Sequence, residues 1–242
     1  MGQESSHYVG QDLEALAELP HYTGWILEQF QDHLHGRVIE VGAGIGNVAV
    51  RYIDQVDHAL LVEPAANLHE RLQARVRDRA HVRVVQAFLE DVPQELLRIP
   101  FDAAVMVNVL EHIEDDQRVL QKLHEVLRPG GAVCIFVPAL PQLFGTLDEI
   151  VDHVRRYRKA ELGQKLENSG FRIERLEYLD LLGIVPWWLA GQVLKRRQYD
   201  ALGAQAYDRV GVPVTRALEH TLHRLLGRTP VGKSLVAVGV RV

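Results

Sequence analysis

The stretch "VIEVGAGIGNVAV", Val38 to Val50, decides how this chain folds. Apolar and β-branched residues run into a cluster of glycines, and an apolar-periodic stretch follows. The pattern is a strand feeding a tight turn feeding a helix, which it places at about Gly46–Val56. Glycine turns sharply and lets backbone approach a ligand with no Cβ in the way. A turn of this kind holds an anionic or adenosine-bearing ligand against a helix start. Gly42, Gly44 and Gly46 are spaced by twos, with Glu40 two residues ahead. A dinucleotide fingerprint would need glycine at Asn47. No Lys-Ser/Thr pair follows the glycines, so a P-loop is excluded.

Outward from the turn, strand and helix patterns alternate. Strands are expected at "RVIEVG", "HALLVE", "VRVVQA", "FDAAVMVNVL", "AVCIFVPA", "FRIERLEYL" and the final "SLVAVGVRV". Helices are expected over Ala65–Arg77, "DDQRVLQKLHEVLRPGG" and "KAELGQKLENSGF". Such alternation gives an α/β fold, a doubly wound, seven-stranded, mostly parallel sheet with helices on both faces. Residues 1–36 read as N-terminal helices, with Leu13, Leu16 and Leu19 at helical spacing before Pro20. Residues 37–177 and 233–242 form the ligand-binding core of a single domain spanning 1–242. Residues 178–232 read as a helical insertion, a candidate cap over the carboxyl ends of the strands or a homodimer surface.

The chain has 242 residues, 47% of them apolar, enough for a full core. Its net charge of −5 argues against a chain-wide nucleic-acid footprint, so no nucleic-acid partner is expected. Cys134, the single cysteine, excludes an internal disulfide and any cysteine-cluster metal site, and its apolar run assigns it to the core. The start "MGQESSHYVG" has no apolar leader, and no run of 18 apolar residues occurs, so a cytoplasmic enzyme without a membrane span is expected.

Glu63, in "LVEP", lies 21 residues past Gly42 at the end of the second strand. A carboxylate there accepts from two ribose hydroxyls, which fits NAD or an adenosyl sulfonium alike. "NVLEHI" at the end of the fourth strand and "LRPGG" before the fifth narrow the choice. With these motifs in order, the chain resembles the class I S-adenosylmethionine-dependent methyltransferases over roughly Tyr22–Arg175 and the last strand. It is similar to a narrower group carrying "VPA…LFG…D…H.RRY", here Val137-Pro138-Ala139, Leu143-Phe144-Gly145, Asp148, His153 and Arg155-Arg156-Tyr157. "P.GKSL", Pro230 to Leu235, is shared too.

The resemblance implies S-adenosyl-L-methionine as cofactor. Gly42, Ala43, Gly44, Gly46 and Asn47 would line its methionyl and ribose part, and Glu40 would serve the amino end. Glu63 and Pro64 would take the ribose. An aspartate common in the family at the adenine is replaced by Phe88, which can stack on the ring. Leu89 and Glu90 would supply the remaining adenine contacts. Asn108 and Val109 would meet the sulfonium side, and Tyr22 would close over it.

His112 and His153 are candidate general bases, since imidazole titrates near neutrality. Glu111, Asp148, Arg155, Arg156, Tyr157 and Trp187 are candidate acceptor contacts, and the arginines suit a carboxylate or phosphate. Each has a structural alternative: a loop brace for His112, an ion-pair network for the arginines, plain packing for Trp187. Asp148, His153 and Asp152 make a poor ligand set, so no metal is expected. The expected reaction is in-line methyl transfer to a small-molecule acceptor, O-methylation first and N- or C-methylation open. The rival readings are an RNA or protein methyltransferase, a nicotinamide oxidoreductase and a non-catalytic adenosyl-binding protein.

Overall fold

Val38, Ile39 and Val41 of the first strand are all buried, as a strand covered on both faces requires. The computed structural model describes residues 19–198 and 200–242. Its seven strands are β1 (Arg37–Val41), β2 (His58–Val62), β3 (Val82–Val85), β4 (Phe101–Val107), β5 (Leu127–Pro138), β6 (Phe171–Leu179) and β7 (Ser234–Arg241). They form one sheet in the order β3-β2-β1-β4-β5-β7-β6. β1 to β5 run parallel, and β7 runs antiparallel to both β5 and β6. This is the doubly wound, mostly parallel sheet that the alternation predicts. The winding reverses between β1 and β4, where open sheets of this kind bind ligands.

Alternate residues of each strand feed two apolar layers. Val38, Val105, Cys134 and Phe136 join one layer with Trp25 and Phe30, from and just after α1 (Pro20–Glu28), and with Leu72 of α2 (Ala66–Val76). Ile39, Ala104, Met106 and Ile135 join the other. There they meet Leu97 of α3 (Gln94–Leu97), Leu120 and Leu123 of α4 (Asp116–Val126), and, beyond the short α5 (Thr146–Glu149), Leu162 of α6 (Lys159–Asn168). α4 ends at Val126, sooner than the pattern suggests, because Leu127 already pairs with Phe101 at the start of β5.

The insertion is helical, as expected. α7 (Ile184–Trp188) runs on into a π turn, and α8 (Ala201–Ala206) continues through a second π turn (Tyr207–Gly211) into α9 (Val212–Leu226). The insertion is pinned to the rest of the molecule by polar contacts. Asp208 accepts from the backbone N–H of His21 at 3.2 Å and of Tyr22 at 2.7 Å, so a side chain 186 residues away caps α1. Within the insertion, Glu219 accepts from Leu181 N at 2.7 Å. Among the described residues, no helix is long and apolar enough to cross a membrane. The helical pattern at Leu13 and Leu16 lies outside the described residues.

Candidate functional site

The glycine turn closes over the end of β2. Gly42 N and Ala43 N both donate to Val62 O, at 2.8 and 3.1 Å. Gly42, Gly44 and Gly46 all have positive φ. A Cβ on Gly42 would lie 2.5 Å from Cγ2 of Val109, in the loop after β4, so glycine lets the two loops touch. Gly44 N donates to Glu63 Oε2 at 2.8 Å, and Ala65 N donates to Oε1 at 2.9 Å. Glu63 therefore braces the turn with both of its carboxylate oxygens. Arg75 reaches back from α2 to Ile45 O at 3.2 Å and Asn47 Oδ1 at 2.8 Å.

Strand parity places Glu40 on the face of Val38, where it is buried and accepts from Tyr52 OH at 2.7 Å. Burial pushes Glu40 up to about 8; the Tyr52 bond opposes this and the neighbouring Glu63 charge adds to it. Burial also raises Glu63, against its two backbone N–H bonds.

The expected helix at Gly46–Val56 does not form. Two short 3-10 turns, Ala49–Arg51 and Ile53–Gln55, stand there instead. β-branched Val48, Val50 and Ile53 disfavour a helix, and Tyr52 is tied to Glu40. The aligned N–H groups that a helix start would offer to a phosphate are thereby lost. The turn instead presents two carboxyl groups, a set suited to hydroxyls and positive charge rather than to a pyrophosphate. At the end of β3, Phe88 is 38% exposed, Leu89 is buried and Glu90 is exposed. The Phe88 ring is thus a rim residue and not part of the core.

Asn108 follows β4 in a left-handed conformation, φ +53°, with its N–H donating to Phe136 O at 2.9 Å. It lines a cleft of about 910 Å³ with its open mouth included. Tyr22 and Phe136 form one wall of this cleft, and Arg156, Trp187 and Lys233 form another. Arg156 and Lys233 lie against the indole of Trp187, 4.8 and 5.4 Å from its ring. Each cation is anchored by a buried carboxylate. Arg156 Nε donates to Asp148 at 2.7 Å, and Lys233 Nζ lies 2.8 Å from Asp180. Tyr207 OH also donates to Asp180.

A third group sits beside the arginine. His153 Nδ1 bonds Asp148 Oδ1 at 2.9 Å, and its Nε2 lies 3.6 Å from Glu111 Oε1. His112 packs edge-on to His153, ring centres 4.8 Å apart, and its Nδ1 bonds Asp152 O at 3.2 Å. Glu111 is fully buried, and neither of its carboxylate oxygens has a hydrogen-bond partner. Burial pushes Glu111 up to about 7, against the pull of His153 and Arg156. Burial would raise Asp148 too, but His153 and Arg156 hold it below the usual carboxylate range.

The model of a methyltransferase domain family matches residues 11–176. The chain belongs to the class I S-adenosylmethionine-dependent methyltransferases. It is 31% identical over 106 residues to an uncharacterized methyltransferase of Mycobacterium tuberculosis, covering 44% of this chain and 52% of that protein. It is 28% identical over 102 residues to the tRNA 5-carboxymethoxyuridine methyltransferase of Escherichia coli, covering 41% and 39%. The match thus spans about half the length, or less, of these two relatives. In fold it is similar to an S-adenosylmethionine dependent methyltransferase from Mesorhizobium loti, with TM-score 0.60, 16% identity, and 90% and 98% of the two chains covered.

S-adenosylmethionine is the cofactor, and the glycine turn fits it: backbone with no Cβ at Gly42 and Gly44, carboxyl groups at Glu40 and Glu63, and a rim aromatic at Phe88. Pro64 is half-buried beside Glu63, while Ala43 is buried in the core layer. Asn47 is held by Arg75. The acceptor-side expectations need correction at four residues. Asp148 is fully buried and held by Arg156, His153 and Gly145 N, so it positions the wall rather than meeting the acceptor. Tyr157 is fully buried, and its hydroxyl donates to Leu110 O and Asp116 at 3.1 and 2.7 Å. Arg155 faces Asp116 at 3.1 Å and Glu114 O at 2.9 Å rather than the cleft. Glu111 lies buried beneath His153 and not at the mouth. Lys233, Asp180, Tyr207 and Asp208 escaped the sequence reading as site residues. Lys233 lies within the shared "P.GKSL", the one signal that pointed to it.

Proposed function

We propose that this methyltransferase O-methylates a small acceptor carrying a carboxylate or phosphate, bound in the cleft beyond Asn108. The observation that carries this is the pair of anchored cations, Arg156 and Lys233, against Trp187, with the Glu111–His112–His153 cluster alongside. Arg156 has five N–H donors. Asp148 and Ala139 O account for its Nε and Nη1 hydrogen bonds, which leaves donors for an incoming anion. A hydroxyl acceptor must lose its proton, whereas a carboxylate acceptor needs no base. A cluster able to take up that proton favours a hydroxyl.

Bound S-adenosylmethionine supplies a methyl group already activated by the sulfonium charge. The residues of this chain align the acceptor and exclude water, an arrangement worth at best roughly 7–11 kcal/mol. Glu63 and the glycine turn take the ribose and methionyl part. Phe88 stacks on the adenine, and Tyr22 closes the sulfonium end.

Calorimetric titration with S-adenosylmethionine and S-adenosylhomocysteine, with NAD as control, tests the cofactor site. Micromolar adenosyl binding that Glu63→Ala loses, with NAD silent, is the expected result. An acceptor screen then compares hydroxylated carboxylates and phosphates, neutral phenols, amines and transfer RNA. Turnover of hydroxylated anions, with a KM raised at least tenfold by Lys233→Met, supports the proposal. Turnover of amines or RNA alone would overturn it.

A further inference from the structure

Glu111, His112 and His153 come from two segments, 41 residues apart at the histidines, yet one ligand atom from each lies within 4.8 Å of the other two. The proton positions on the histidines follow from their partners. Asp152 O can only accept, so His112 Nδ1 carries the hydrogen and Nε2 is the ring's ligating nitrogen. Asp148 is held below the usual carboxylate range, so His153 Nδ1 donates to it, which turns Nε2 toward Glu111 Oε1 at 3.6 Å. Both oxygens of Glu111 are buried without a hydrogen-bond partner. Three metal-ligating side chains thus converge on one small volume around a carboxylate that has no hydrogen-bond partner. A buried polar group left this way is costly unless something satisfies it.

We propose that Glu111, His112 and His153 bind a divalent first-row transition-metal ion, of the Zn²⁺ class, on the wall of the acceptor cleft. Two imidazoles and one carboxylate form the ligand set of open, catalytic sites for such ions. Two imidazoles select against Mg²⁺ and Ca²⁺, which prefer oxygen. Each histidine has the outer hydrogen bond that metal-bound histidines show, one to a carboxylate and one to a backbone carbonyl. A tetrahedral shell at 2.0–2.1 Å spaces its ligand atoms by about 3.3 Å. The Glu111–His153 pair is near that distance already, and the widest gap closes by rotation of side chains. His112 and His153 line the cleft, so the ion's open positions face the acceptor. The ion would hold the acceptor's oxygen there while its proton leaves to water. This role rests on the proposed function, but the binding itself does not.

The test uses the full chain, stripped with a chelator and confirmed folded by circular dichroism. Cobalt(II) is titrated in and read by its visible absorption, and Zn²⁺ content is measured by elemental analysis after dialysis. One equivalent per chain is expected, with Mg²⁺ failing to displace it. His153→Gln, Glu111→Gln and the more exposed His112→Gln should each weaken binding at least tenfold, and the last guards against variants that fail to fold. No stoichiometric metal in the folded wild type, or a cobalt spectrum that all three variants leave unchanged, overturns the proposal. S-adenosylhomocysteine binding is measured on the same stripped protein. Its loss together with intact cobalt binding would sink the functional reading and leave the metal site standing. Turnover lost in His153→Gln with no metal bound by the wild type would assign the cluster to proton transfer and overturn the metal site.

Discussion

Asp148→Asn is the substitution whose cost the structure defines best. Asp148 is fully buried and gathers Arg156 Nε at 2.7 Å, His153 Nδ1 at 2.9 Å and Gly145 N at 3.0 Å. Asparagine keeps the shape but removes the charge, and it turns an N–H₂ toward groups that are already donors. Arg156 stays charged, with a side chain only 1% exposed. Breaking a buried pair while leaving one charge behind costs about 3–5 kcal/mol. In a chain of this size each kcal/mol moves Tm by roughly 2–4 °C, so a fall of about 6–20 °C is expected. Thermal unfolding followed by circular dichroism measures it. Arg156→Met in the Asp148→Asn background should recover most of the loss, because replacing both partners removes the stranded charge. Arg155→Ala is the control. Its side chain is 27% exposed, and Lys165 and Tyr157 still hold Asp116, so about 1 kcal/mol or less is expected. A fall of less than about 2 °C in Asp148→Asn, or one no larger than in Arg155→Ala, would refute the assignment of Asp148 as the charge that organises this wall.

Glu219 reports on the insertion through pH. Burial pushes it up to about 7, with Asp180 and Glu177 adding to the shift and the Leu181 and Asp180 backbone opposing it. Its folded value lies above the unfolded one, so its stabilising effect is complete below about 4.5 and is lost as pH rises through about 7. Glu219→Gln keeps an acceptor for Leu181 N, and should match wild type in urea unfolding near pH 4 and exceed it by about 3 kcal/mol at pH 8. Phe88→Ala should weaken S-adenosylhomocysteine binding by roughly 3- to 10-fold in calorimetry with Tm unchanged, since an exposed ring that stacks contributes about 1 kcal/mol. Gly42→Ala meets both a φ of +70° and Val109 Cγ2, and should lower Tm; adding Val109→Ala should recover the steric part and leave about 1–2 kcal/mol of backbone strain.

The sheet was legible because parallel strands buried on both faces read as short apolar runs between glycine and proline breaks. The segment after the glycine turn misled for a related reason. Val48, Val50, Tyr52 and Ile53 mimic an apolar helical stripe, yet their branched side chains and the Tyr52–Glu40 bond favour two tight turns. The motif Arg155-Arg156-Tyr157 was visible, but its side chains divide. Tyr157 bridges to Ala139, and neighbouring residues of extended backbone point to opposite sides. Arg155 and Tyr157 therefore both reach Asp116, and Arg156 alone reaches the cleft. Sequence spacing suggested Asp148, Asp152 and His153 as the only ligand set worth weighing. The set that the fold assembles takes Glu111 and His112 from the end of β4, a pairing only the crossover through β5 creates.

The cleft is shaped jointly by the sheet's later loops, α1 and the helical insertion. Asp180 sits just past β6, holding Lys233 at the start of β7 and Tyr207 of the insertion. Asp208 ties the insertion to α1, which carries Tyr22. Asp148 ties Arg156 to the loop after β5 and lies 3.4 Å from Trp187 Nε1. Three buried carboxylates thus fix the cations and aromatics of one wall before any acceptor arrives, and charges held in place reorganise little during a reaction. On the function proposed above, the glycine turn and Glu63 serve the donor whatever the acceptor. The choice of acceptor then falls to residues 178–232 and the segment 139–157, where changes can reshape the cleft without touching the donor site.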